Sequence, residues 1–237
     1  MPSQRSFLVT GASRGIGAEI AVALSTSEPG SRVFLVARSE DGLTQTAQRC
    51  APRADVEVCV ADLGSTADVS RLRDKVLAKT SSLDALINNA GGWKGGLIDA
   101  IDPDLFDQVL SMNLRTAFLT THAFVPAMKA AGKGDIVFIS STSGLEGLPQ
   151  NTAYCAAKFG VRGLAAALRE ELRSSGVRVS CIFPGQTDTS TWDGVPIRRE
   201  RMIPPQDIAN AVALICSSSS NTLIEELVIR PTTNPWG

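Results

Sequence analysis

Seven short apolar runs, separated by stretches of helical periodicity, constrain this 237-residue chain more than any other feature of it. The runs cover residues 7–9, 33–36, 56–60, 83–87, 136–139, 177–182 and 223–229. Between them apolar residues recur three and four apart, as at Ile20, Ala23 and Leu24, or at Leu164, Ala167, Leu168 and Leu172. Strands that are apolar throughout need cover on both faces, and helices between successive strands supply it. The pattern predicts an α/β class chain: one doubly wound domain over residues 1–237, with a parallel sheet of about seven strands and about six helices. Right-handed crossovers leave few ways to connect them. No repeat, linker or low-complexity tract interrupts the alternation.

Composition removes several function classes. With 43% apolar and 20% charged residues the chain has an ordinary globular balance and no bias toward disorder. Lys plus Arg number 23 against 24 Asp plus Glu, so neither nucleic acid nor an anionic membrane is an expected partner. No apolar run approaches the ~20 residues of a membrane helix, and the start does not resemble a signal peptide. Five cysteines without Cys-x-x-Cys spacing point to buried, reduced thiols and a cytoplasmic setting. A single His excludes a three-histidine metal site, no metal is expected, and a Ser-His-Asp triad would have to use His122.

The first apolar run leads directly into Thr10-Gly11-Ala12-Ser13-Arg14-Gly15-Ile16-Gly17, with a helical pattern behind it. Glycines there allow a tight turn and close approach of the backbone to a pyrophosphate, while a helix start presents unpaired N–H groups to the anion. The spacing is Gly-x3-Gly-x-Gly rather than Gly-x-Gly-x-x-Gly. Alone, the turn fits a plain strand–helix connection as well as a phosphate cradle; its place after the first strand favours the cradle. An NAD-selective site puts a carboxylate at the end of the second strand, roughly 20 residues on. Here that point reads Val36-Ala37-Arg38-Ser39, with no acid before Glu40. Arg38 and Arg14 can instead meet a 2′-phosphate, a task suited to guanidinium, unless both are solvated surface residues. The expected cofactor is NADP(H).

Asn88-Asn89-Ala90-Gly91 closes the fourth run, Ser140-Ser141 the fifth, and Tyr154-Cys155-Ala156-Ala157-Lys158 opens a long helical stretch. Tyr154 and Lys158 are four apart and share a helix face. A free Tyr has a pKa near ~10, too high for easy proton exchange at neutrality, and a neighbouring ammonium would lower it. Ser141, at an adjacent strand end, can reach the same substrate oxygen. In open α/β sheets these strand ends surround one crevice.

With those residues in order, the chain resembles the short-chain dehydrogenase/reductase family over essentially its whole length, in its NADP(H)-preferring branch. The matching elements are residues 10–17, Asp62-Leu63, the Asn-Asn-Ala-Gly at 88–91, Asn113, Ser141, the Tyr-Cys-Ala-Ala-Lys at 154–158, and Pro184-Gly185 with Thr189. The resemblance implies a Rossmann-type fold, with Tyr154 as general acid/base, Ser141 orienting the carbonyl oxygen and Lys158 also holding the nicotinamide ribose. Asn113 would hold a water in a proton relay. The dinucleotide would meet Gly11, Ser13, Arg14, Gly15, Ile16, Gly17 and Arg38 at its phosphates, and Asp62 and Leu63 at adenine. Asn89, Ala90 and Gly91 would lie on the ribose side, and Pro184, Gly185, Thr187 and Thr189 at the nicotinamide end. Asn113 could also simply tie a helix to strand four, and Asp62, Thr187 and Thr189 could be ordinary strand-end and turn residues. His122, inside an apolar helical stretch, reads as structural, and Cys155 has no matched base.

The activity so implied is interconversion of a carbonyl and a secondary alcohol, with a small 3-oxo or 3-hydroxy compound or related ketone as substrate. A reductase of 3-oxoacyl groups on acyl-carrier protein is the alternative, although residues 221–233 depart from that branch's usual ending. A non-catalytic NADP sensor is the alternative of another class; retention of Tyr154 and Lys158 argues against it. Residues 186–204 leave room for only a short flap, carrying Trp192 and the Arg198-Arg199-Glu200-Arg201 cluster, which either greets an acidic substrate or is solvated. The resemblance further implies a homo-oligomer, a tetramer being favoured. The tail through Trp236 is expected to pack on a neighbouring subunit near its crevice.

Overall fold

The computed structural model describes residues 4–237; residues 1–3 of the expected domain lie outside the described part. All seven runs become strands of one parallel sheet: β1 (Ser6–Thr10), β2 (Arg32–Ala37), β3 (Asp55–Val60), β4 (Ala85–Asn88), β5 (Gly134–Ile139), β6 (Val177–Pro184) and β7 (Glu226–Ile229). Their order is β3-β2-β1-β4-β5-β6-β7, each neighbouring pair parallel. Two ladders start later than the apolar pattern suggests. Leu83 is buried but precedes β4. Ahead of β7, guanidinium groups hold the main chain: Arg178 donates to Thr222 O and Arg169 to Glu225 O.

The helices are α1 (Gly15–Ser27), α2 (Glu40–Arg49), α3 (Thr66–Leu77), α4 (Pro103–Leu110), α5 (Thr116–Ala131), α6 (Thr152–Leu172) and α7 (Pro205–Ser217). A π-turn at Ser111–Arg115 joins α4 to α5, so the seven segments form six helical bodies. Strand alternation divides the core between the two sheet faces. Phe7, Val9, Val33 and Leu35 pack with Ile20 and Leu24 of α1 and Val212 and Ile215 of α7. Leu8, Phe34, Leu86 and Phe138 pack on the other face with α3, α5 and α6 through Leu72, Phe124 and Val161. Each such fully buried side chain stabilises the fold by about 1.5–3 kcal/mol relative to exposure. Both layers are necessary because every central strand is apolar on both sides.

His122 departs from its expected structural role. α5 turns Thr120, Thr121 and Phe124 inward, whereas Phe118 and His122, four apart, share the exposed face with ring centroids 5.8 Å apart. All five cysteines are unpaired and buried. Among the described residues no helix is long and apolar enough to cross a membrane, and no cluster could hold a metal. The strand order reverses at β1, whose neighbours are β2 and β4. The carboxyl ends of β1 and β4 therefore open a crevice at the switch point.

Candidate active site

One hydroxyl ties the two switch-point strands together. Thr10 Oγ1 donates to Ile87 O (3.0 Å) and accepts the N–H groups of Asn89 and Ala90, both at 2.9 Å. Asn89 completes the knot by donating Nδ2 to Thr10 O (2.9 Å) and Gly11 O (3.3 Å). Its side chain is thus part of the turn. The approach is so close that a Cβ on Gly17 would lie 2.3 Å from Gly11 O, so only glycine fits there. Thr10, the first residue of the 10–17 segment, thus serves the turn as a tie between β1 and β4, a role signalled by a hydroxyl at a strand end immediately before the glycines.

The turn leads into a helix start without a side-chain cap. Ser39, Ser65 and Asp102 cap α2, α3 and α4 with side-chain oxygens, whereas Arg14 at the head of α1, like Asn151 before α6 and Pro204 before α7, makes no such bond. The opening N–H groups of α1 are left for another acceptor. Ser13 packs against the first turn of α2, where a Cβ on Gly42 would be 2.9 Å from Ser13 Cβ. That contact brings the end of β2 beside the turn. Arg38 stands there exposed, without an ion pair or side-chain hydrogen bond among the described residues. Arg14, also exposed, donates to Ser190 Oγ at 2.8 Å. Gly15 faces the opposite loop, while Ile16 packs against the core. Asp62 is exposed and accepts Gly64 N–H (2.9 Å); the Leu63 side chain lies in the core, leaving only its main chain for a ligand.

Ser141, Tyr154 and Lys158 meet at the ends of β5 and β6. Ser141 caps a 3₁₀ turn at Thr142–Gly144 by accepting Ser143 N–H (3.2 Å), with the Tyr154 hydroxyl close enough to feel it. Lys158, only 5% exposed, donates Nζ to Ile139 O (3.1 Å) and lies 5.6 Å from the Tyr154 ring centroid. Burial dominates both titrations. It pushes the Tyr154 phenol up to about 12 despite the Ser141 hydroxyl, and brings the Lys158 ammonium down to about 8. The expected lowering of the Tyr154 pKa therefore does not occur in the chain by itself: Lys158 directs its ammonium to a carbonyl and the ring, and desolvation outweighs the influence of the Ser141 hydroxyl.

Asn113, 2% exposed, lies in the π-turn. Its Oδ1 accepts Gly92 N–H (3.2 Å), and its Nδ2 donates to Gly92 O (2.9 Å) and Val109 O (3.0 Å). It does tie the α4–α5 body to the end of β4. It also borders Lys158, because a Cβ on Gly91 would lie 2.6 Å from Asn113 Oδ1 and 3.7 Å from Lys158 Nζ. Ala90, partly buried, packs on the core beside them.

The loop after β6 forms the opposite wall. Gly185 N–H donates to Ile229 O (2.8 Å), and buried Thr187 bonds back to Gly185 O (3.1 Å) just beyond Pro184. Thr189 caps a 3₁₀ turn at Ser190–Trp192, and its Cγ2 lies 3.2 Å from where a Gly15 Cβ would be. The loop thus stands directly over the glycine turn. Arg199 pairs with Asp188 (2.5 Å) and Asp193 (2.6 Å), so the centre of the arginine cluster is neutralised internally. Cys155 is buried with its thiol 3.8 Å from Glu146 O. The tail packs on its own chain's flap, with Trp236 against Trp192.

Comparison with known proteins agrees with this geometry. The family model described as short chain dehydrogenase matches residues 5–199. A sepiapterin reductase from Chlorobaculum tepidum is 32% identical over 95% of this chain and 96% of its own length. An uncharacterised oxidoreductase of Staphylococcus saprophyticus is also 32% identical, over 94% and 96%. Among solved structures, a metagenomic short-chain oxidoreductase in complex with NADP is 37% identical, with a TM-score of 0.84 over 97% of this chain and 98% of that one. An actinorhodin polyketide ketoreductase variant with NADPH is 29% identical, with a TM-score of 0.88 over 96% of each chain. This chain belongs to the short-chain dehydrogenase family.

Proposed function

We propose that the protein is an NADP(H)-dependent oxidoreductase that interconverts a small ketone or 3-oxo compound with its secondary alcohol. The carrying observation is that Ser141, Tyr154 and Lys158 converge at the same crevice as the uncapped start of α1. The residues fit the dinucleotide: a helix start without its own cap and an unpartnered Arg38 are suited to its pyrophosphate and 2′-phosphate. The NADP and NADPH carried by the two structural relatives support the same choice. When bound, the nicotinamide supplies or accepts the hydride.

The chain's own residues manage oxygen, proton and position. Tyr154, a phenol with its pKa at about 12, is in the form that donates a proton to a developing alkoxide, which suits reduction. Ser141 orients and polarises the same oxygen. Lys158 supplies charge and holds the ribose, and Asn113 positions a water between Lys158 and solvent. Gly11, Ser13, Arg14, Gly15, Ile16 and Gly17 receive the phosphates with Arg38, and Asp62 and Leu63 border the adenine. Asn89, Ala90 and Gly91 flank the ribose, while Pro184, Gly185, Thr187 and Thr189 enclose the nicotinamide end.

The apolar strand β7 lies at the edge of the sheet, and a groove of about 580 Å³ beside Phe118, Leu114 and Leu164 is exposed. Both features support a homo-oligomer, with a tetramer favoured, and five buried thiols suit a cytoplasmic setting. A panel of free ketones, 3-oxo acids and carrier-linked 3-oxoacyl groups, followed by NADPH absorbance, tests the function. Turnover of a free carbonyl compound is expected. Turnover confined to carrier-linked groups would replace the substrate reading, and no turnover of any would defeat it. Light scattering tests the assembly, with a monomeric mass counting against it.

A further inference from the structure

We infer that residues 230–237 are a strap that fastens the flap at 190–203, and that Trp236 and Arg230 are positioning residues for the carbonyl substrate. The inference rests on the crevice being the substrate site, as proposed above. Beyond β7 the chain cannot continue as a strand, because Pro231 and Pro235 remove backbone donors. It instead crosses the mouth of the crevice and touches both walls.

On one wall Arg230 pairs with Glu146 at 2.8 Å. Glu146 follows the turn that Ser141 caps: its N–H donates to Thr142 O (3.1 Å), and its carbonyl faces the thiol of Cys155, next to Tyr154. On the other wall Pro235 is buried, and its carbonyl accepts Arg198 N–H at 3.0 Å. Arg201 donates to the main-chain oxygens of Asn234 and Gly237. Trp236 meets Trp192 edge to face, with centroids 5.8 Å apart and planes at 75°. Trp192 in turn donates its indole N–H to Thr187 O (3.1 Å), at the nicotinamide end of the crevice.

The strap starts in close contact with the crevice floor, where a Cβ on Gly185 would lie 2.9 Å from Pro231 Cδ. Beyond that contact, Gln186 and residues 232–235 line a pocket of about 210 Å³. The Arg230–Glu146 pair is half exposed and screened, and Trp236 is itself 54% exposed, so the buried Pro235 and its bond from Arg198 N–H carry most of the hold and the indole edge contact adds to it. This also explains why arginines cluster at 198–201: they serve the strap and the flap's own aspartates. A basic welcome for an acidic substrate is not needed to account for them.

Two measurements on the full-length protein test the strap. In Trp236→Ala, trypsin cleavage after Arg198, Arg199 or Arg201 is expected to quicken, because the flap is released. The carbonyl KM is expected to rise roughly two- to tenfold, with kcat within about twofold and the NADPH Kd unchanged. Trp236→Phe, which keeps an aromatic edge, restores both readouts, and Arg230→Ala raises KM in the same direction by less. Unchanged cleavage in Trp236→Ala overturns the strap. Faster cleavage with unchanged KM overturns the positioning role. The cleavage arm needs no substrate, so a failure of the carbonyl reading itself, seen as no turnover by the unaltered protein, is distinguishable.

Discussion

The two ends of the crevice are built on different principles. At the glycine-turn end the contacts are buried or part-buried and join side chain to main chain: Thr10 and Asn89 knot β1 to β4, and Gly17 meets Gly11 O with no space to spare. At the substrate end, side chains on exposed loops meet one another, as in Arg199 with Asp188, Arg230 with Glu146 and Trp236 with Trp192. A knot of side chains bonded into the main chain beside a glycine with no spare space tolerates almost no change. Exposed pairs each contribute little and can be exchanged one at a time. On the function proposed above, one end would serve a constant dinucleotide while the other adjusts to a particular carbonyl.

The largest effect is expected where the two ends meet. Tyr154→Phe removes the proton donor without altering the glycine turn, and should lower kcat by about 10²- to 10⁴-fold. NADPH binding, measured by fluorescence titration, should remain within about twofold of the unaltered protein. A variant keeping more than roughly a tenth of the rate would end the acid/base role.

Next comes a test of the phosphate end as a selector. Arg38→Ala should weaken NADPH by about 1.5–3 kcal/mol, roughly tenfold to over a hundredfold in Kd, and NADH much less. Equal weakening of both would break the comparison, because Arg38 would then serve the fold rather than the 2′-phosphate.

What could be read from the sequence follows the same division. The fold was legible because strands apolar throughout and helices with periodic faces admit few arrangements. Ser141, Tyr154 and Lys158 were legible as strand-end and helix-face positions, and the structure does bring them together. The contacts between loops were not. Arg14 reaches Ser190, 176 positions away, by a path that no local pattern encodes. Nor were the tail's contacts with its own flap legible, because a Trp after two prolines implies a partner without saying which. The spacing of Tyr154 and Lys158 gave a shared face but not the Ile139 carbonyl that holds the ammonium. His122 misled because its neighbours are apolar, while the 3.6-residue period turns it outward.

A pH profile probes the junction from both sides. Burial brings Lys158 from its ordinary 10.5 to about 8, so its charge disappears as pH rises through about 8. For carbonyl reduction kcat/KM should be flat below that point and fall about tenfold per unit above it. Stability should move oppositely. Below pH 8 the fold bears the cost of a buried ammonium that the unfolded chain keeps in water. Between about 8 and 10.5 the unfolded chain binds more protons, so this group's contribution rises with pH. Tyr154 acts later and with the other sign: its folded pKa of about 12 exceeds the ordinary 10, so its contribution falls as pH climbs past 10. Activity and denaturation midpoint falling together across pH 8–10 would remove Lys158 as the controlling group.

The smallest effect is expected at Arg14, the one arginine of the glycine turn that belongs to both ends. It is exposed and already engaged, its guanidinium donating to Ser190 Oγ across the crevice. A 2′-phosphate would have to share it, whereas Arg38 is uncommitted. Removing Arg14 should therefore cost only about 0.5–1.5 kcal/mol in NADPH binding, roughly two- to tenfold. The carbonyl KM should rise as well, because the loop bearing Ser190 loses its tie to the glycine turn. Ser190→Ala separates the two contributions: it breaks the tie and leaves the charge, so KM should rise while NADPH affinity holds. If Ser190→Ala weakened NADPH as much as Arg14→Ala, the tie rather than the charge would govern the cofactor. The two ends of the crevice would then be one mechanical unit.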